Sequence, residues 1–276
     1  RSTRPPANPA QTPGEKPLAA AQAAGQILRE RFAGPHEVTS KGLRDLVTEA
    51  DLAAQEAVVA RIRARFPEHQ VWTEEARGAL GRPSAHRWFI DPLDGTTNYA
   101  RGIPYFSVSV AVERQGALQV GVVYDPLGER LFHAAAGQGA YLNGVRLAVS
   151  DRARLIDALL DLGWARSQPA RLGTCRVAAA IGPYIGSART MGSAALGLAA
   201  VAAGWEDVFF HPELAPWDMA AGVLLVREAG GAVTTAEGRE WDVFAGSGLA
   251  SNGLLHEAAL RHIAPALAGG PGGTGP

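Results

Sequence analysis

Arg87-Trp88-Phe89-Ile90-Asp91-Pro92-Leu93-Asp94-Gly95-Thr96-Thr97-Asn98 joins an apolar run to two carboxylates, a proline, a glycine and two hydroxyls. Residues 87–90 read as a strand, which delivers the two aspartates to a strand end. Asp91 and Asp94 offer hard anionic oxygens, the ligand type that suits Mg²⁺. Pro92 fixes its own φ and biases Asp91 towards an extended backbone, so the carboxylate directions are partly preset. Gly95 allows a close backbone approach to an anion, and Thr96 and Thr97 add amide and hydroxyl donors. Asp-Pro and Asp-Gly pairs are also common turn signals, and a turn needs no metal. Local chemistry leaves both readings open.

The whole chain narrows the classes. Its 276 residues suit one large domain or two closely packed ones, and 47% hydrophobic with 19% charged residues is a globular balance. A net charge of −1 removes any global electrostatic case for nucleic acid. The single Cys175 excludes an internal disulfide and a cysteine zinc cluster, and reads as a packing residue. No apolar signal segment or membrane span is visible, so a cytoplasmic setting without a membrane partner is expected. Residues 1–17 are expected to form a disordered arm and 265–276 a flexible tail. Between them, 18–150 should form an α+β half and 151–264 an α/β half.

Coarse patterning supports that division. Helices are expected over about 18–33 and from Thr48 to about Phe66, the second closed by Pro67. Strands follow at 71–73, 87–91, 105–113 and 118–124, and Asn143-Gly144 marks a hairpin. The second half reads as a strand over 157–163, a helix near 173–182 and a helix from Met191 to about Gly204. A strand over 207–211, a helix from Trp217 to Glu228 stopped by Gly230-Gly231, and strands at 243–245 and 248–252 complete it.

Three further acidic groups each have an ordinary explanation. Glu74-Glu75 is a surface pair by default, Asp218 sits where a helix start favours an acid, and Asp51 closes a capping pattern begun at Thr48. Their order and separation say more. Lys41-x₃-Asp45-Leu46-Val47-Thr48-x₂-Asp51, Glu74-Glu75, Asp91-Pro92-Leu93-Asp94-Gly95-Thr96, Gly192-Ser193-Ala194-Ala195 and Trp217-Asp218-Met219-Ala220-Ala221-Gly222 follow one another along the chain. This set resembles the inositol monophosphatase family of Mg²⁺-dependent phosphatases over about residues 18–264. The resemblance implies a layered αβαβα sandwich of the sugar-phosphatase type.

It also implies roles. Glu74, Asp91, Asp94 and Asp218 should hold two or three Mg²⁺ ions, with the Leu93 carbonyl as a further ligand. Glu74 and Thr96, the latter paired with Asp51, should serve the attacking water, and Gly95 and Thr96 amides should seat the phosphate. Gly192, Ser193 and Ala194 should line the alcohol side of the pocket, and Lys41 is at most auxiliary. Thr73 departs from the family, which usually has glycine before the paired glutamates; this bears on loop shape more than on ligation.

The leaving alcohol is less legible. Seven residues before Asp218, where the family often has an acid for inositol hydroxyls, stands His211; Glu213 follows two residues later. His211 donating to a hydroxyl and His211 merely packed remain equal alternatives. Hydrolysis of inositol monophosphate is the expected activity. Histidinol-phosphate phosphatase is the enzyme alternative, and a regulatory binding protein of the same fold is the alternative from another class. The partner is then a small phosphorylated polyol or alcohol, and the family habit implies a homodimer.

Overall fold

The structure, a computed structural model, describes residues 15–269. Its first helix, α1 (Glu15–Arg31), begins inside the expected arm, whose residues 1–14 lie outside the described residues. A hairpin of β1 (Val38–Gly42) and β2 (Asp45–Thr48) leads into α2 (Glu49–Arg65). Asp51, in the first turn of α2, reaches back to accept from the Thr48 amide at 2.8 Å and from its hydroxyl, the reciprocal half of the capping pattern.

An eight-stranded sheet follows. It contains β3 (Gln70–Thr73), β4 (Gly78–Leu80), β5 (His86–Asp94), β6 (Ser107–Arg114), β7 (Ala117–Asp125), β8 (Arg130–Ala135), β9 (Gly139–Leu142) and β10 (Val145–Arg146). Its order is β10-β9-β8-β7-β6-β5-β3-β4, antiparallel except where β3 runs parallel to β5. The short α3 (Thr96–Ala100) leaves the end of β5. Side chains alternate between the faces: Trp88 and Ile90 join α1 and α2 in one core, while Phe89 enters the central one. Both faces are buried, which explains the nearly continuous apolar run that precedes Asp91.

The second sheet holds β11 (Leu159–Leu162), β12 (Ser187–Arg189), β13 (Val208–His211), β14 (Ala232–Thr234) and β15 (Gly248–Ser251), in the order β12-β11-β13-β15-β14. Helices α5 (Ala194–Ala202) and α6 (Pro216–Glu228) lie between the two sheets, and α4 (Gln168–Ile181) and α7 (His256–Leu267) cover the outer face of the small one. The result is the αβαβα layering. The central core spans both halves, with Phe89, Ala111 and Val123 packed in one cluster with Leu198, Phe209 and Ala221.

Several expectations need correction. Residues 243–245 form a turn, not a strand; the small sheet takes β14 instead. α4 starts five residues earlier than its apolar pattern, because Ser167 caps it by accepting from the Ala170 amide. α5 starts at Ala194, with Met191 to Ser193 as its lead-in. α7 runs into the expected tail. Cys175 is exposed on α4 rather than packed. Among the described residues, no helix is long and apolar enough to cross a membrane.

Candidate metal centre

The site grows from an irregularity in β5. Asp91 pairs with Ser109 and Asp94 with Ser107, so three steps along β5 match two along β6. In a regular strand, residues three apart face opposite sides. The extra residue at Pro92-Leu93 restores both aspartates to the face shared by Ser107 and Ser109. The proline that looked like a turn signal therefore marks a bulge that aims two acids together. Gly95 follows with φ 98°, and a Cβ there would lie 3.1 Å from the Tyr105 carbonyl, so this position requires glycine.

Glu74 arrives on the extension of β3, its amide donating to the Ile90 carbonyl at 3.3 Å. Asp218 arrives in the first turn of α6, where one oxygen accepts from the Ala215 amide at 2.8 Å. That helix can come so close because its motif is small. A Cβ on Gly121 of β7 would stand 2.6 Å from the Ala221 carbonyl, and one on Gly222 would overlap the Leu198 side chain of α5. Oxygens of Glu74, Asp91 and Asp218 thus lie within 4.8 Å of one another.

Asp94 is placed differently. Its carboxylate accepts from the Ala194 amide at 3.1 Å, the Ala195 amide at 2.9 Å, the Ser107 hydroxyl at 3.3 Å and the Ser193 hydroxyl. It caps α5, whose N-terminal dipole favours the charge, and ties the 191–193 segment to the acids. Ser193 is thereby a support of Asp94.

The donor set fits a hard cation. Asp91 spends Oδ1 on the Leu93 amide at 3.0 Å, and among the described residues its Oδ2 and Asp218 Oδ1 accept no hydrogen bond. Burial, and then the charges of Glu74, Asp94 and Asp218, push Asp91 well above the usual carboxylate range. Burial and the neighbouring carboxylates likewise raise Asp218 to about 8. Burial raises Asp94 to about 6 against its hydrogen bonds. An oxygen-only donor set of mutually repelling carboxylates is the chemistry that suits a divalent cation.

Thr96 Oγ1 lies 3.1 Å from both Asp51 Oδ1 and the Leu93 carbonyl, so its single proton serves one of them at a time. Asp51 is fully buried, and burial raises it to about 6. Asn98 donates to the Tyr105 carbonyl and to the Met191 carbonyl, each at 2.8 Å, and so fixes Gly192 against the start of α3.

The mouth holds a residue that sequence reading missed. Arg166, in the loop after β11, donates to Glu74 Oε1 at 2.9 Å and pairs with Asp45 at 3.3 Å. Lys41 also reaches Glu74, at 3.3 Å, and binds Glu75 Oε1 at 2.9 Å. Lys41 carried a motif signal; a lone arginine in Trp164-Ala165-Arg166 carried none. His211 ends β13 with its ring against Gly163, and its Nδ1 accepts from the Glu213 amide at 3.2 Å. Burial, and then Arg166, lower His211 to about 3, so its ring is neutral with the proton on Nε2. Glu213 is exposed, and its carboxylate accepts from the Ser167 amide at 3.0 Å, anchoring the start of α4.

Comparison with known proteins agrees with this architecture. Residues 15–268 match the sequence model of the inositol monophosphatase family. The inositol-1-monophosphatase of Mesorhizobium japonicum is 38% identical over 247 residues, 88% of this chain and 93% of that protein. The Nus factor SuhB of Escherichia coli K12 is 40% identical over 247 residues, 88% of this chain and 92% of that one. The crystal structure of extragenic suppressor protein SuhB from Bartonella henselae matches with a TM-score of 0.85 at 38% identity, over 89% of this chain and 96% of that chain. A match that runs from α1 to α7, with relatives at this identity over nearly their whole length, places the chain in the inositol monophosphatase family.

Proposed function

We propose that this protein hydrolyses inositol monophosphate to inositol and inorganic phosphate, with two or three Mg²⁺ ions held by Glu74, Asp91, Asp94, Asp218 and the Leu93 carbonyl. The convergence of Glu74, Asp91 and Asp218 from two strands and a helix start carries this reading. Bound there, divalent ions supply Lewis-acid stabilisation of the phosphoryl and leaving oxygens, which the very slow uncatalysed reaction needs.

The chain's own groups do the rest. Thr96, hydrogen-bonded to Asp51, orients the attacking water beside Glu74 and passes its proton to Asp51. A carboxylate raised to about 6 is matched to accept a proton near neutral pH. The water oxygen bonds to phosphorus, the ester P–O bond breaks, and the alcohol leaves with a proton from solvent. Gly95 and Thr96 amides, at the open start of α3, receive the phosphate oxygens. Gly192, Ser193 and Ala194 line the alcohol side. His211, neutral with Nε2–H, donates to a substrate hydroxyl, and Glu213 holds the α4 edge of the pocket.

A panel of phosphate monoesters tests the substrate. myo-Inositol 1-phosphate is expected to show the highest kcat/KM; a higher value for histidinol phosphate would replace it with the alternative. The name Nus factor SuhB among 40% identical relatives favours a second, binding role. Absence of turnover on every ester with Mg²⁺ present would make that role the better reading.

A further inference from the structure

The apolar triplet Val243-Phe244-Ala245 turns between β14 and β15, and its side chains part ways. Val243 and Ala245 pack against the central core, whereas Phe244 remains 47% exposed. Its contacts, more than its burial, explain the residue.

Phe244 leaves the small sheet and lands on the large one. Its ring meets Trp72 of β3 edge-on, 5.2 Å between centroids, and Phe89 of β5 at 6.0 Å. The Arg87 guanidinium lies 5.2 Å from the Phe244 ring centre and pairs with the buried Glu113 at 2.6 Å. Trp72 and Phe89 are register partners on the parallel strands β3 and β5. Glu74 continues that register, its amide donating to the Ile90 carbonyl. Residues two apart in a strand share a face, so Glu74 and Asp91 stand one side-chain layer, about 7 Å, beyond the aromatic pair.

The far end of the turn reaches the third carboxylate. Asp242 fixes the turn by accepting from the Phe244 amide at 2.7 Å. Two residues after Phe244, the Gly246 carbonyl accepts from the Leu214 amide at 2.8 Å. Leu214 precedes Ala215, whose amide is held by Asp218 at 2.8 Å. One short turn therefore touches the carriers of Glu74, Asp91 and Asp218.

We propose that Phe244 is a positioning residue for the candidate metal centre, holding β3, β5 and the lead-in to α6 at one separation. The inference rests on the metal reading of that centre and adds the contact that fixes its aperture. Clustered carboxylates repel one another, and a ring wedged behind two of their strands resists the spreading.

Titration of the full chain with Mn²⁺, another ion suited to oxygen ligands, followed by the free-ion EPR signal, tests this. Phe244→Ala should weaken Mn²⁺ binding on the order of tenfold, the low end of what support around metal ligands contributes. Phe244→Leu, which keeps an apolar contact with Trp72 and Phe89, should recover most of the loss. In chelator, Tm of the alanine variant should fall by only about 2–4 °C, because the ring is half exposed. Leu254→Ala truncates another exposed apolar side chain, at 61%, and should leave binding unchanged. Trp72→Leu should also weaken binding, and the double variant with Phe244→Ala should lose less than the two effects combined. Wild-type affinity in Phe244→Ala, an equal loss in Leu254→Ala, or full additivity with Trp72→Leu would overturn the proposal. A wild-type chain that binds no Mn²⁺ would overturn the metal reading itself, and this inference with it.

Discussion

At the scale of single residues, the site is a balance between acids and the cations that restrain them. Asp91 has one oxygen committed to the Leu93 amide and one left for a ligand. Asp91→Asn should keep the former and lose the latter, lowering kcat/KM at least on the order of 10²-fold, the cost of one missing stabilising group at a reacting oxyanion. Full activity in that variant, or after chelation, would contradict the metal reading. Thr96→Val removes the hydroxyl from Asp51 and should cost about 10²–10⁴ in kcat, whereas Thr96→Ser should recover most of it. Arg166 competes with any cation for Glu74. Arg166→Ala should therefore tighten Mg²⁺ binding in a titration, and weaker binding would mean that the guanidinium organises the acids instead. His211 was an open choice in the sequence. Its burial, its neutral ring and its Nδ1 bond to the Glu213 amide are tertiary facts.

Elements decide how closely those residues approach. α6 presents Asp218 only because Gly121 beneath it and Gly222 beside it leave room for its backbone. Gly121→Ala meets the Ala221 carbonyl, which no rotamer change relieves, and should destabilise the protein by about 1–3 kcal/mol, roughly 2–4 °C in Tm per kcal/mol for a chain of this size. Gly222→Ala meets a side chain instead, so Leu198→Ala should partly rescue it in a double-mutant cycle. Additive effects of the pair would show that α5 and α6 adjust independently. The Ala-Ala-Gly run of the motif was legible as a helix with a signature, but its reason is packing across two partners. The β5 bulge was likewise visible only as a proline, since register against β6 is what makes it a bulge.

The whole molecule stores many buried acids. Burial raises Asp51 and Asp94 to about 6, Glu75 and Asp161 to about 7, and Asp218 and Glu206 to about 8. Between their ordinary values and these raised ones, the folded chain binds protons that the unfolded chain has released. Stability therefore falls as pH rises through that window. In chelator, calorimetric Tm should decline from about pH 5 to about pH 8. With saturating Mg²⁺ the decline should be shallower, because ligand binding to the folded state offsets the repulsion of Asp91, Asp94 and Asp218. A Tm that rises with pH in chelator would show those groups to be ionised throughout.

Local signals determined much of this protein. Thr48 with Asp51 marked the start of α2, Pro67 its end, and Gly230-Gly231 the stop after α6, because caps and breakers act within a few residues. The acids Glu74, Asp91 and Asp218 were legible because their flanking motifs are chemically unusual. Weakly patterned segments were not: β12 and β14 are three residues each and draw their order from sheet neighbours, and α7 leans on α4. Arg166 over Glu74 and Asp94 capping α5 join residues about 90 or more positions apart. Sequence determined which carboxylates and turns were available. Only the tertiary structure decided which charges meet, because burial and proximity, not residue identity, set their electrostatics.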